Sequence, residues 1–204
     1  FSASFSYDFT VNLGTADDGA DGISFIMQHD PLGLCACGTS GGGMGAGGIT
    51  NSVIVELDTY LNYEDRDDGL PGVLCSGGPT PDHIDLWLNG NVNPTGVCGS
   101  TVGARIIPSA VALMNGAALY NIENGLDHIL RISWIPAGST GTLTVSVLNN
   151  GGTITYGTFS YTFNPLTVFG TQTPYYGFTA STGALSNQQS ACLSPLLLPV
   201  DLVS

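Results

Sequence analysis

Large apolar and small polar residues alternate along FSASFSYDFTVNL (1–13), the pattern of a strand with one face in a core and the other in solvent. Strand-like runs continue in GISFIMQ (22–28), SVIVELDTY (52–60), HIDLWLNG (83–90), HILRISWIP (128–136), TLTVSVLNN (142–150), TITYGTFSYTF (153–163) and YYGFTAST (175–182). Clusters of Gly, Pro, Asn and Asp separate them. The Asn150–Gly151 pair predicts a hairpin whose turn residues take positive φ. A helical period is nearly absent. PSAVALMNGA (108–117) is either a strand-edge excursion or a helical turn, and TGALSNQQSAC (182–192) allows one short turn after Gly183. Many strands with regular turns, and no strand–helix alternation, predict two antiparallel sheets packed as a sandwich.

A chain of 204 residues makes one sizeable domain or two small ones, with a substantial core. Only 9% of residues are charged, the formal net charge is −13, there is no lysine, and the arginines are Arg66, Arg105 and Arg131. Such a surface repels phosphate, which argues against nucleic acid and anionic membranes as partners. It suits a neutral partner such as a sugar, or a bound cation. No apolar run reaches the ~20 residues that span a bilayer, so no membrane insertion is expected. The longest tract near an end, PLLLPVDLV (195–203), is broken by Pro199 and Asp201.

Five cysteines and a loop-rich composition point to an oxidising setting, in a secreted or cell-surface protein. No signal peptide is present, so the chain is expected to begin after processing or partway through a longer protein. Five is odd, leaving at least one cysteine without a partner within these residues. Cys75 and Cys98 flank a candidate hairpin and are one candidate disulfide. The state of Cys35 and Cys37, in a glycine-rich loop, is open. LSPLLLPVDLVS (193–204) reads as a final strand or as the start of a connector to another module.

The chemistry concentrates in VELDTYLN (55–62). In an extended strand residues 56, 58, 60 and 62 face one way. Glu56, Asp58 and Asn62 therefore present a row of oxygen donors, with the Tyr60 carbonyl at the strand's end. Carboxylates on a dry strand are costly unless something positive compensates them, and hard cations seek such oxygens. PTPDHIDLWL (79–88) adds Asp82 and His83 at the head of the next strand. An imidazole beside carboxylates suits a transition metal such as Mn²⁺ more than calcium alone. The plain alternative is a solvated strand end running into the acidic turn YEDRDDG (63–69). ADGISFIMQ (20–28) places Asp21 at a strand entrance, ahead of a run that must be buried. GTSGGGMGAGGITNS (38–52) either lets a ligand approach the backbone or simply connects two strands, and with no GK[ST] following it is not a phosphate cradle. His29 reads as a loop residue, His128 as structural at the head of a strand, Trp87 and Trp134 as core or sheet-face residues, and Met27 and Met44 as packing.

The order ADGISFIMQ, GGGMGAGGI, VELDTYLN, DHIDLWLNG, GLDHILRISW, YYGFTASTG resembles the L-type (legume-type) lectin domain, especially its bacterial extracellular versions. The resemblance runs from Phe1 to about Cys192, which makes residues 1–192 the domain. It implies a concanavalin-like antiparallel β-sandwich (jelly roll) with a flat back sheet and a concave front sheet. It also implies calcium-dependent binding of glycans or glycoproteins in a shallow site beside a Ca²⁺/Mn²⁺ pair. By position, Glu56, Asp58 and His83 correspond to transition-metal ligands, and Asp58, the Tyr60 carbonyl and Asn62 to calcium ligands. Asp21 corresponds to the acceptor of two sugar hydroxyls, with a candidate cis peptide at Ala20–Asp21. Asn62 touches the sugar as well. Backbone near Gly42 and Gly43 and the loop at Gly183 and Ala184 complete the rim, and Tyr60 or Tyr63 stacks on the sugar's apolar face. Ca²⁺ is the principal cofactor expected, and Mn²⁺ or another transition metal the second.

The chain departs from the family pattern twice. The carboxylate that bridges the two metals lies five residues before the histidine in legume members, and that place is Gly78 here. Asp82 or Asp67 must substitute if the pair is complete. Family domains also begin with several strands before the segment resembling FSASFSYDF, so this chain is expected to start mid-domain, with Cys192 the odd cysteine and its partner in the missing part. Two other functions use the same architecture. Sandwich glycoside hydrolases resemble E-x-D-x-x-E on one strand, but Leu61 stands where the second Glu belongs and Glu64 is out of phase with the row, so no catalytic residue is assigned. An adhesive or structural module of a larger surface or filament protein, which binds other proteins and no sugar, is the other reading.

Overall fold

The computed structural model describes residues 1–15, 19–60, 82–92, 111–183 and 185–194. Asn62, Asp67 and Ala184 lie outside the described residues, as do Tyr63, Gly78, Cys75 and Cys98. In chain order the strands are β1 (Phe5–Asn12), β2 (Gly22–Gln28), β3 (Ser52–Asp58), β4 (His83–Leu88), β5 (Val111–Ala112), β6 (Met114–Asn115), β7 (Ala118–Leu119), β8 (His128–Ala137), β9 (Thr140–Asn149), β10 (Thr155–Phe163), β11 (Tyr175–Ser181) and β12 (Ser190–Leu193). A single α-helical turn, α1 (Pro165–Phe169), lies between β10 and β11. Among the described residues the back sheet runs β10-β9-β8-β1-β12 and the front sheet β11-β2-β3-β4-β5, with every pairing antiparallel. The predicted sandwich is therefore the fold.

Alternation explains how the two sheets meet. In β8 and β9 the inward set Leu130, Ile132, Trp134, Leu143, Val145 and Val147 is wholly buried. It packs on Ile23, Phe25, Met27, Val53, Val55, Leu57, Ile84 and Leu86 of the front sheet. Each such side chain contributes about 1.5–3 kcal/mol by leaving water. The outward set of the back sheet is hydroxylated and pairs across strands: Thr142 with Thr162 at 2.9 Å, Thr144 with Ser160 at 2.8 Å and Ser146 with Thr158 at 2.9 Å.

The front sheet differs, because β2 and β3 are buried along their whole length on both faces. Their second face is covered by the glycine-rich loop, which forms a smaller core of Ile26, Ala46, Ile49, Ile54, Trp87 and Val92. That is why GISFIMQ and SVIVELD read as nearly continuous apolar runs.

One open alternative is decided and two local expectations change. Val111–Ala112 and Met114–Asn115 are short strands, not a helical turn, and no helix follows Gly183 among the described residues. In the β9–β10 connection the residue with positive φ is Gly152, not Asn150 or Gly151. Asn149 sets that turn, its Oδ1 accepting from Thr153 N at 2.8 Å and Ile154 N at 2.9 Å. The helical turn falls instead at Asn164–Pro165, where Asn164 Oδ1 caps Leu166 N at 2.9 Å, Pro165 occupies the first turn and Gly170 closes the C-terminus.

Candidate functional site

At the end of the front sheet where β2 begins, the Ala20–Asp21 peptide bond is cis, as the family resemblance implies. Two strand ends grip it. Asp21 N donates to the Ser181 carbonyl of β11, and the Asp21 carbonyl accepts from Thr59 N just past β3, each at 3.1 Å. Gln189 Nε2 also reaches the Ala20 and Ser181 carbonyls, at 3.4 and 3.3 Å. The next residue, Gly22, has φ +141°, and a Cβ there would stand 2.2 Å from the Leu57 carbonyl oxygen. Only glycine lets β2 turn in beside β3 at this point. Asp21 is therefore delivered to a fixed place, 3% exposed, with Gly183 leaving space over its carboxylate: a Cβ at 183 would come within 3.4 Å of Oδ2.

The glycine-rich loop is docked on the same corner. Gly41 N donates to Ser181 Oγ at 2.7 Å, and Met44, fully buried in the left-handed region, anchors the loop with its N–H on the Gly41 carbonyl at 2.8 Å. Half-buried Gly42 and buried Gly43 are thereby held against the end of β11 that also binds Asp21. Half-buried Tyr60 closes the β3 side, its N–H on Asp58 Oδ1 at 2.8 Å.

Behind this corner runs the acidic row. Antiparallel register sets Glu56 opposite Asp85 and Asp58 opposite His83, all on one face of β3 and β4. Their exposures are 1%, 1%, 1% and 0% respectively. The solvated strand end is thus excluded for these four. His83 Nε2 lies 3.8 Å from both Asp58 Oδ2 and Asp85 Oδ2, too far for a hydrogen bond. Trp87 Nε1 donates to Glu56 Oε2 at 2.5 Å and orients it. Asp82, directly before His83, accepts Ile122 N on its Oδ2 at 2.6 Å and Leu113 N on its carbonyl at 2.7 Å, tying the head of β4 to the segment around β6 and β7.

Of the predicted residues, Asp21, Gly42, Gly43, Tyr60 and Gly183 gather at one corner, and Glu56, Asp58 and His83 form the row beside it. Asp85 was not among the candidates, although it stands two positions after His83 in the alternation of HIDLWL and so shares its face. Carboxylates with one imidazole make a donor set suited to Mn²⁺ and related ions, and the carboxylates also suit Ca²⁺. The row fits the metals the family implies in donor chemistry. Among the described residues no three such groups stand close enough to hold an ion as they are, and the chain that continues from Tyr60, residues 61–81, lies outside them.

The profile of the legume lectin beta-barrel domain matches residues 1–195. The chain belongs to this legume lectin family. Solved lectins share its fold at low identity. Peanut lectin with a 9mer peptide superposes with a TM-score of 0.58 at 23% identity, covering 94% of this chain and 68% of the other. Winged bean acidic lectin complexed with methyl-α-D-galactose gives 0.57 at 21%, covering 93% and 68%. The metal-free form of lectin I-B4 from Griffonia simplicifolia gives 0.53 at 20%, covering 93% and 72%. A 65-residue stretch, 32% of this lectin-family chain, is 37% identical to the pesticidal crystal protein Cry22Aa of Bacillus thuringiensis and spans 9% of that protein's length.

Proposed function

We propose that this domain is a calcium-dependent carbohydrate-binding module of a secreted or cell-surface protein. It takes glycans or glycoproteins at the corner built by Asp21, Gly42, Gly43, Tyr60 and Gly183, joined by Asn62 and Ala184 from outside the described residues. The observation that carries this reading is the placement of Asp21. A carboxylate whose own backbone is gripped by two strand ends, beneath a glycine and beside the glycine-rich loop, offers charge-assisted acceptance to neutral hydroxyls. Its approach from a strongly acidic chain favours an uncharged ligand over an anionic one.

Divalent cations complete the account. Glu56, Asp58 and His83 would hold a transition metal, and Asp58, the Tyr60 carbonyl and Asn62 would hold calcium. Such ions would supply fixed positive charge that keeps the β3 end, and through Thr59 the Asp21 backbone, in one geometry. Secretion or surface display is supported by the cysteine-bearing, loop-rich composition. Winged bean acidic lectin complexed with a galactoside lends support by fold alone.

The test is binding to a glycan array with and without chelator, repeated with Asp21→Ala. The expected result is binding that EDTA removes, that Ca²⁺ restores, and that Asp21→Ala loses while its circular dichroism spectrum stays that of the wild type. Sugar binding that survives Asp21→Ala would place the site elsewhere, and release of cleaved sugar would make the protein an enzyme.

A further inference from the structure

A cleft of about 140 Å³ lies at the end of the back sheet where β8 begins and β9 ends, and it shares no residue with the Asp21 corner or the acidic row. The register partners His128 and Asn149 meet there. One wall is aromatic: the Tyr120 ring stacks on that of Tyr156 at 3.7 Å, and the His128 imidazole meets both edge-on. Leu126 lines the cleft as well, although it is 61% exposed. The walls are held in place by the chain itself. Tyr120 Oη lies 3.0 Å from His128 Nε2 and accepts Asn124 Nδ2 at 3.1 Å, while Leu126 N donates to Asn124 Oδ1 at 2.9 Å. On the other side Asn149 Oδ1 fixes its turn through the Thr153 and Ile154 amides. Two exposed polar groups, Asp127 and Asn150, complete the lining.

A preformed apolar hollow with a few polar groups is the usual form of a small-molecule site. Its size sets the ligand, since a cavity of roughly 150 Å³ holds one benzene ring. The lining offers a carboxylate and no lysine or arginine, which turns away anions. The two tyrosine faces lie against each other, so they form no cage around an ammonium group. Asp127, whose Oδ1 accepts Asn12 Nδ2 at 3.0 Å, keeps lone pairs for a hydroxyl, and the Asn150 amide can both donate and accept. We propose that this cleft is a second, metal-independent site that takes one neutral sugar ring, with its apolar C–H face on Tyr120 and Leu126 and its hydroxyls on Asp127 and Asn150. The site does not rest on the calcium-dependent reading above.

A site for a single ring binds weakly, with a dissociation constant on the order of millimolar, so washing removes its ligand from an array and free sugar in solution reveals it. The test is a ¹H–¹⁵N NMR titration of the whole chain in EDTA with D-glucose, D-galactose, D-mannose and N-acetyl-D-glucosamine, and with choline as a cationic probe. It is run on wild type, Asp21→Ala, Asn150→Ala and Leu126→Ser. At least one sugar should shift the amide signals of Leu126, Asp127, His128 and Asn150 in a saturable way, and choline should not. Asp21→Ala should leave that affinity unchanged. Asn150→Ala should weaken it by roughly fivefold, and Leu126→Ser should weaken it too, with otherwise unaltered spectra. The proposal is overturned if none of the four sugars shifts these signals, if choline shifts them instead, or if both cleft variants keep full affinity. Failure of the calcium-dependent reading looks different: the array loses its chelator-sensitive binding while this titration stands.

Discussion

His128 shows how burial sets a single residue's chemistry. It heads β8, is 1% exposed, and its Nε2 lies 3.0 Å from Tyr120 Oη. Desolvation pushes its pKa below the ordinary histidine value, while the Leu126 carbonyl and Asp127 pull it partly back. Desolvation, reinforced by the Tyr120 hydroxyl, pushes the neighbouring Tyr156 up to about 12; its ring stacks on that of Tyr120, centroids 3.7 Å apart. A lowered folded pKa means the unfolded chain takes the proton more readily. The contribution of His128 to stability is therefore complete above its unfolded pKa of about 6.5 and is lost as pH falls through the folded value. In chelator, the melting temperature of wild type should fall more steeply from pH 7.5 to 5 than that of His128→Gln. Parallel curves would show that His128 is not neutral in the fold. The place of His128 at the head of a strand was legible in the sequence, but its lowered pKa was not, because the burial that causes it comes from tertiary packing, including the Tyr120 and Tyr156 rings against the imidazole.

Among elements, the β8–β9 hairpin is a tight fit. Gly141 lies against Trp134, and a Cβ at 141 would stand 2.1 Å from the ring's Cζ2 and 2.5 Å from Cε2. Trp134 is fully buried, in ring contact with Phe1 and Phe163, so it has nowhere to move. Gly141→Ala should cost about 1–3 kcal/mol, read as a lower urea midpoint with an unchanged slope; an unchanged midpoint would mean the core yields there. Strands of this kind were legible because a period of two survives in residues such as Leu143, Val145 and Val147. The α1 turn was missed although Asn164, Pro165 and Gly170 carry its signals, because five residues give no helical period to detect. Glu56 and Asp58 were legible as a row from spacing within one strand. The opposition of Asp85 to Glu56 was not, since it depends on the β3–β4 register, and a slip of one residue would put Asp85 on the other face.

Across the whole molecule, the two sheets divide the labour. The back sheet closes the core and shows solvent a lattice of hydroxyls with the Asp8–Arg131 pair, 2.7 Å at each of two contacts. The front sheet is roofed by the glycine-rich loop and carries both the acidic row and Asp21 at one corner. Cys35, Cys37 and Cys192 are exposed free thiols, and the candidate pair Cys75 and Cys98 lies outside the described residues. In the proposed function, cations in the row hold the Asp21 corner in shape. Its most direct test is anomalous diffraction from crystals equilibrated with Mn²⁺ and Ca²⁺, measured at the manganese edge. A strong peak is expected among Glu56, Asp58 and His83. A map with no anomalous signal along that row, at full Mn²⁺ and neutral pH, would contradict it.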